Sequence, residues 1–169
     1  MLDIFWIIVI SAATGLLVKI SDEIADRKLA VKGGHALGFL YGVLIAYMMT
    51  QTELAALWFA VVLGVAFMGK IDDTIHFIAL LPVTIVLVLF FFQGYDIAFD
   101  VVYFFIFMGA AMFDEWKLKI RHTHMKWIKE RRPMVDIAAL FISGASGNWF
   151  YLTSILSFDI MYQLTGLMS

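Results

Sequence analysis

Residues 54–73 read LAALWFAVVLGVAFMGKIDD. An uncharged apolar run ends abruptly in one lysine and two aspartates. The run shows none of the alternation of a barrel strand. It approaches the roughly 20 apolar residues that a membrane-crossing helix needs, and lipid obliges a single segment to pair its backbone internally. The stretch therefore reads as a helix over 54–70 that stops where water begins.

Working outward, five more runs of the same kind stand at 3–20, 35–52, 74–93, 97–113 and 134–158, with ends soft by a few residues. The expected fold is all-α: one integral-membrane domain over 1–169, a polytopic bundle of about six transmembrane helices built as three helical hairpins. Composition agrees. The chain is 63% hydrophobic and 15% charged, with mean hydropathy +0.91, where soluble domains carry roughly 45–50% apolar and about 25% charged residues. A soluble enzyme, a nucleic-acid binder and a disordered chain are excluded. The absence of cysteine excludes a disulfide scaffold and thiolate metal sites. The apolar start at Leu2 to Val18 lacks a basic leader and reads as a first span, not a cleavable signal.

Charge sets orientation. All 12 Lys and Arg fall in three segments: Lys19 to Lys32, Lys70 alone, and seven residues between 117 and 132. The connections around Gln51–Glu53 and Gln93–Asp100 carry none. By the positive-inside rule the basic loops face the cytoplasm, which puts both termini of a six-span plasma-membrane protein outside. The last run is the least regular. Ser143-Gly144-Ala145-Ser146-Gly147-Asn148 reads first as small residues packing closely within one span, with a break or two short helices as the alternatives. Pro82 is expected to kink the fourth helix, and Asp159 to point into the bundle.

Three acidic doublets, Asp22-Glu23, Asp72-Asp73 and Asp114-Glu115, end the first, third and fifth helices. Histidines follow each: His35, His76, then His122 and His124. If those helices pack together, six carboxylates gather near the headgroups, and like charges at that range need a cation between them. Carboxylate oxygens suit Mg²⁺ or Mn²⁺. Asp22, Asp26, Asp72, Asp73, Asp114 and Glu115 are thus the candidate metal ligands, and Asp72, Asp73, His76 and His124 the candidate catalytic groups. Residues i and i+3 share a helix face, so Asp73 and His76 can meet one ligand. The plain alternative is a set of interfacial ion pairs with Lys19, Arg27, Lys28 and Lys70, worth about 0–1 kcal/mol each.

The segment from Lys117 to Arg132 interleaves its cations with Met125 and Trp127. It reads as an interfacial helix among anionic headgroups, or as a source of phosphate ligands through Arg121 and Arg131 beside Lys70. Gly33-Gly34 opens the second helix, where backbone N–H groups can approach an anion.

Residues 22–81 contain, in order, Asp26-Arg27-Lys28, Gly33-Gly34 at a helix start, a helical hairpin and Gly69-Lys70-Ile71-Asp72-Asp73. This order resembles the polyprenyl-phosphate glycosyl-1-phosphate transferases, which include the enzyme of the first lipid-linked intermediate of peptidoglycan synthesis. The resemblance implies that the paired aspartates lie at the cytoplasmic face near a Mg²⁺ and phosphate site, and that His122-x-His124 is a shortened cytoplasmic histidine motif. That family has more spans, and its Asn-rich segment and later Gly-Asp loop have no counterpart here. The functional expectation is a membrane enzyme using a divalent cation on a phosphate-bearing lipid or nucleotide. The alternatives are a cation transporter or channel with a carboxylate mouth, and a non-catalytic scaffold. A homo-oligomer is expected in the last two cases.

Overall fold

Leu54 to Val61 is buried without interruption, no residue in it more than 6% exposed. A helix apolar on every side has to be enclosed by others, and this one, α3 (Thr52–Phe67), runs through the core. The computed structural model describes residues 3–27, 33–71, 73–93, 100–119 and 133–168. Among them are seven helices and no strand: α1 (Ile4–Asp26), α2 (Gly34–Met49), α3, α4 (Thr74–Gln93), α5 (Val101–Lys119), α6 (Pro133–Ser146) and α7 (Phe150–Met168).

The expected all-helical class holds, with two differences of construction. The last run is two helices, not one. Gly147 adopts φ 73°, a left-handed conformation that ends α6. Asn148 then accepts from the Phe150 N–H at 3.1 Å to start α7, and donates to the Glu53 carbonyl at 3.1 Å, pinning the turn to the start of α3. The small residues of this segment thus serve a break.

The second difference is pairing. The closest partners are α1 with α7, α2 with α4, and α3 with α5, in place of three hairpins of sequence neighbours. Contacts in the first two pairs advance in the same sense along both chains. Ser11 meets Ser154, and Asp22 meets Tyr162. Gly38 lies against Ile75, and Gly42 against Ala79. These pairs are parallel. Small residues decide it, because they let backbones approach where a side chain would hold them apart. A methyl group added at Gly15 would overlap the Phe158 carbonyl oxygen, and one at Gly38 or Gly42 the carbonyls of Ile75 or Ala79. Gly34, Gly38 and Gly42 recur every four residues, one stripe along α2.

A polar knot crosses the middle of the core. Ser11 and Ser154 share a 2.8 Å hydrogen bond, Trp58 Nε1 donates to Ser154 at 3.0 Å, and Ser11 reaches the Met48 sulfur at 3.4 Å. It joins α1, α7, α3 and α2. Large apolar side chains also face outward, among them Trp6, Phe39, Ile85, Phe105, Phe141 and Ile160, on six different helices. Among the described residues α1 alone is, by length and composition, long and apolar enough to cross a membrane, while α2, α3, α6 and the Thr74–Leu89 part of α4 are shorter apolar helices.

The helices alternate in direction, so the ends of α1, α3, α5 and α7 gather at one end of the bundle with the starts of α2, α4 and α6. Tyr162 beside Asp22 puts the far part of α7 at this charged end, opposite Ile4. Among the described residues, Ile4 and the far part of α7 thus lie at opposite ends of the bundle. Helices α1 and α5 also run further than expected, which carries Asp22-Glu23 and Asp114-Glu115 on helical surfaces and not past helix ends.

The glycine contacts are testable. Gly42→Ala should cost about 1–3 kcal/mol by forcing α2 from α4. Gly109→Ala, where nothing lies within 4 Å of the new methyl group, should be neutral or gain up to about 1 kcal/mol. Thermal unfolding of the two variants reads the contrast.

Candidate functional site

A cavity of about 880 Å³ opens among the helix ends. Its floor is apolar, with Ile45, Trp58, Val61, Val83 and Phe158, and its mouth is charged. Every described candidate from the sequence lies on its wall: Asp22, Asp26, Lys70, Asp73, His76, Asp114 and Glu115. The acidic groups of α1, of the α3–α4 turn and of α5 therefore converge although they are far apart in the chain. Asp72, Arg121, His124 and Arg131 lie outside the described residues, as does His122. His35 is exposed at the start of α2 and does not line the cavity.

The α3–α4 turn is built by its glycine. Gly69 has φ 68°. Its N–H donates to Ala66 and that of Lys70 to Val65, the crossed pair that closes a helix with a left-handed residue. The chain reverses at once, Asp73 Oδ1 accepts from the Ile75 N–H at 2.8 Å to start α4, and His76 follows one turn on. Asp73 and His76 thus share the cavity wall, as their spacing predicted.

The carboxylates divide their duties. Glu23 is held by Lys19 on α1 and by Arg27 just past its end, each at 3.0 Å and one turn away. These are ordinary ion pairs between neighbouring helical turns, the kind of pairing that the sequence offered as the plain alternative. Asp22 faces inward, 3.1 Å from His76 Nε2, and accepts from the Tyr162 hydroxyl at 2.5 Å. Tyr162 is itself stacked on Phe158, with the Lys19 ammonium 5.3 Å from its ring centre. On the other side of His76, Nδ1 lies 2.7 Å from the Tyr41 hydroxyl. The close approach of α2 to α4 at Gly38 and Gly42 sets that distance, because Tyr41 sits between the two glycines.

Asp114 has a different task. It is 2% exposed and accepts from the backbone N–H groups of Met134 and Val135 at 3.0–3.2 Å. A helix start leaves such donors unpaired, and proline at the first position has no N–H to lose. Asp114 of α5 therefore caps α6 from outside it, with its charge at the positive end of the helix dipole. Glu115, 4% exposed, stands beside it on the cavity wall.

The expected metal set is not assembled as drawn. Among the described residues no three His, Asp or Glu side chains are grouped to hold one ion. Asp22 and Asp114 are committed to a histidine, a tyrosine and a helix start, and the donors left toward the mouth are Asp26 and Asp73. The sequence pattern alone does not single out Tyr41 and Tyr162. The available signal was position: each lies within about two turns of the charged end of an apolar helix, where a buried phenol hydroxyl seeks a partner. Asp159, expected to point into the bundle, is buried one turn short of Tyr162. No family model, no curated protein and no solved structure matches this chain.

Replacing Asp114 by Ala should cost about 2 kcal/mol, since two N–H groups lose their acceptor, while Asp114→Asn should keep part of the cap. Thermal unfolding of the Ala variant at the midpoint of the unaltered protein would contradict this role.

Proposed function

We propose that this is a multi-spanning membrane enzyme acting on a phosphate-bearing lipid, with the cavity at its charged end as the active site. One observation carries the reading: acidic groups from three separated helix ends, together with Lys70 and His76, line a single cavity whose floor is apolar. The apolar floor suits an acyl or isoprenoid chain, which favours a lipid over a nucleotide. Membrane immersion is supported by the outward apolar side chains on six helices, since soluble monomers rarely expose large contiguous apolar patches. The basic residues at the charged end favour the cytoplasmic face for that end. Seven crossings then leave the N-terminal end of α1 outside and the far end of α7 inside.

The wall carries six carboxylates against Lys19 and Lys70, so a phosphate enters such a cavity only with a cation. Asp26 and Asp73, next to Asp72 in the chain, supply the hard oxygen donors that Mg²⁺ or Mn²⁺ takes. When bound, the cation would neutralise phosphate charge and draw electrons from phosphorus. Lys70 adds a positive charge at the mouth. The order of motifs over residues 22–81 supports the same substrate class.

Two experiments follow. Because the chain has no cysteine, single cysteines report sidedness cleanly. Asp3→Cys and Gln51→Cys should react with an impermeant maleimide in intact cells, and Gly33→Cys and Leu167→Cys only after permeabilisation. The second uses Asn at position 73, which still caps a helix while losing the charge. In nanodiscs containing phosphatidic acid, Asp73→Asn should weaken Mn²⁺ binding, read by electron paramagnetic resonance, about tenfold or more. Equal Mn²⁺ binding by the variant, or Mn²⁺ flux through the protein in liposomes, would overturn the enzyme reading.

A further inference from the structure

The titratable groups of the cavity include one continuous chain. Tyr41 Oη is 2.7 Å from His76 Nδ1, His76 Nε2 is 3.1 Å from Asp22 Oδ1, and Tyr162 donates to Asp22 Oδ2 at 2.5 Å. The four residues come from α2, α4, α1 and α7, and all of them line the cavity. The hydrogens can be ordered from donor and acceptor chemistry. A carboxylate only accepts, so Nε2 carries the hydrogen that faces Asp22. A neutral imidazole then has its lone pair on Nδ1, and the Tyr41 hydroxyl donates to it. Both ring nitrogens are therefore occupied within the protein, and a proton from the cavity reaches His76 through the Tyr41 oxygen.

We propose that Tyr41, His76 and Asp22 form a proton relay that activates a hydroxyl group of the ligand. The ligand O–H bond breaks as its proton joins the Tyr41 oxygen, and the proton that Tyr41 held passes to Nδ1. The products are a deprotonated ligand oxygen, an unchanged tyrosine, and an imidazolium next to the Asp22 carboxylate. Tyr41 is the group that touches the ligand. Asp22 and Tyr162 are positioning residues: one fixes the tautomer and stabilises the charged ring, and the other holds the carboxylate. The arrangement follows the logic of a nucleophile, base and orienting acid, with the phenol passing a proton on in place of attacking. It rests on the cavity being a ligand site, and it adds that the ligand carries a hydroxyl.

Nitrogen-15 NMR of histidine-labelled full-length protein in nanodiscs tests the chain without metal or phosphatidic acid. His76→Gln identifies the His76 signals by their disappearance. Near neutral pH His76 should show the Nε2–H tautomer with Nδ1 unprotonated, and Tyr41→Phe should shift the Nδ1 resonance while Nε2 keeps its hydrogen. A hydrogen on Nδ1 of the neutral ring, or an Nδ1 resonance unmoved by Tyr41→Phe, would overturn the relay. The tautomer is read on the unaltered protein, so a poorly folding variant does not remove the test. Loss of the relay here and loss of Mn²⁺ binding in Asp73→Asn are separate results, which keeps the two proposals apart.

Discussion

A helix without a polar face cannot border water on any side, and α3 is such a helix. Enclosing Leu54 to Val61 requires neighbours all around it, and the alternating run of the chain then decides which ends share a level. The termini of α1, α3 and α5 arrive together, with the starts of α2, α4 and α6 between them. The cavity is a product of this enclosure. Its apolar floor is the upper part of the same packed core, through Trp58 and Phe158, and its charged mouth is the ring of helix ends.

Carboxylates brought that close would repel one another, and the protein answers with a different partner for each. Glu23 goes to two cations one turn away, Asp22 to a histidine and a tyrosine, Asp73 to the start of α4, and Asp114 to the start of α6. A cluster of acids in a sequence therefore does not translate directly into a metal centre. Helix starts and imidazoles draw on the same oxygens, and here they claim several before any ion arrives. Among the described residues, what is left toward the mouth is Asp26 and the second oxygen of Asp73, a smaller set than the six residues expected from the sequence.

The helical class, the gathering of the described acidic residues at one cavity and the place of Asp73 and His76 on its wall were legible in the sequence because each depends on local pattern: uncharged run length, charge at run ends, and i, i+3 spacing. The break at Gly147 was less legible. It depends on whether a small residue is used for packing or for a left-handed turn, and Ser143 to Asn148 permits both. Helix pairing depends on where a glycine finds a partner backbone, which for Gly15 is Phe158, far away in the chain. The roles of Tyr41 and Tyr162 were hidden for the same reason. A tyrosine in an apolar helix reads as bulk until its neighbour on another helix is known.

The union of α1 with α7 bears on how the molecule is made. Ser11 and Ser154, bonded in the core, are 143 residues apart, so the ribosome delivers α1 long before its mate. Until then the α1 face bearing Ser11, Gly15 and Asp22 has none of its native neighbours on α7, and His76 faces an aspartate not yet steadied by Tyr162. The nascent bundle is therefore open along one seam, and the arrival of α7 both seals the seam and completes the hydrogen-bonded chain from Tyr41 to Tyr162. Closure of the seam and completion of this hydrogen-bonded chain thus coincide in a single late step.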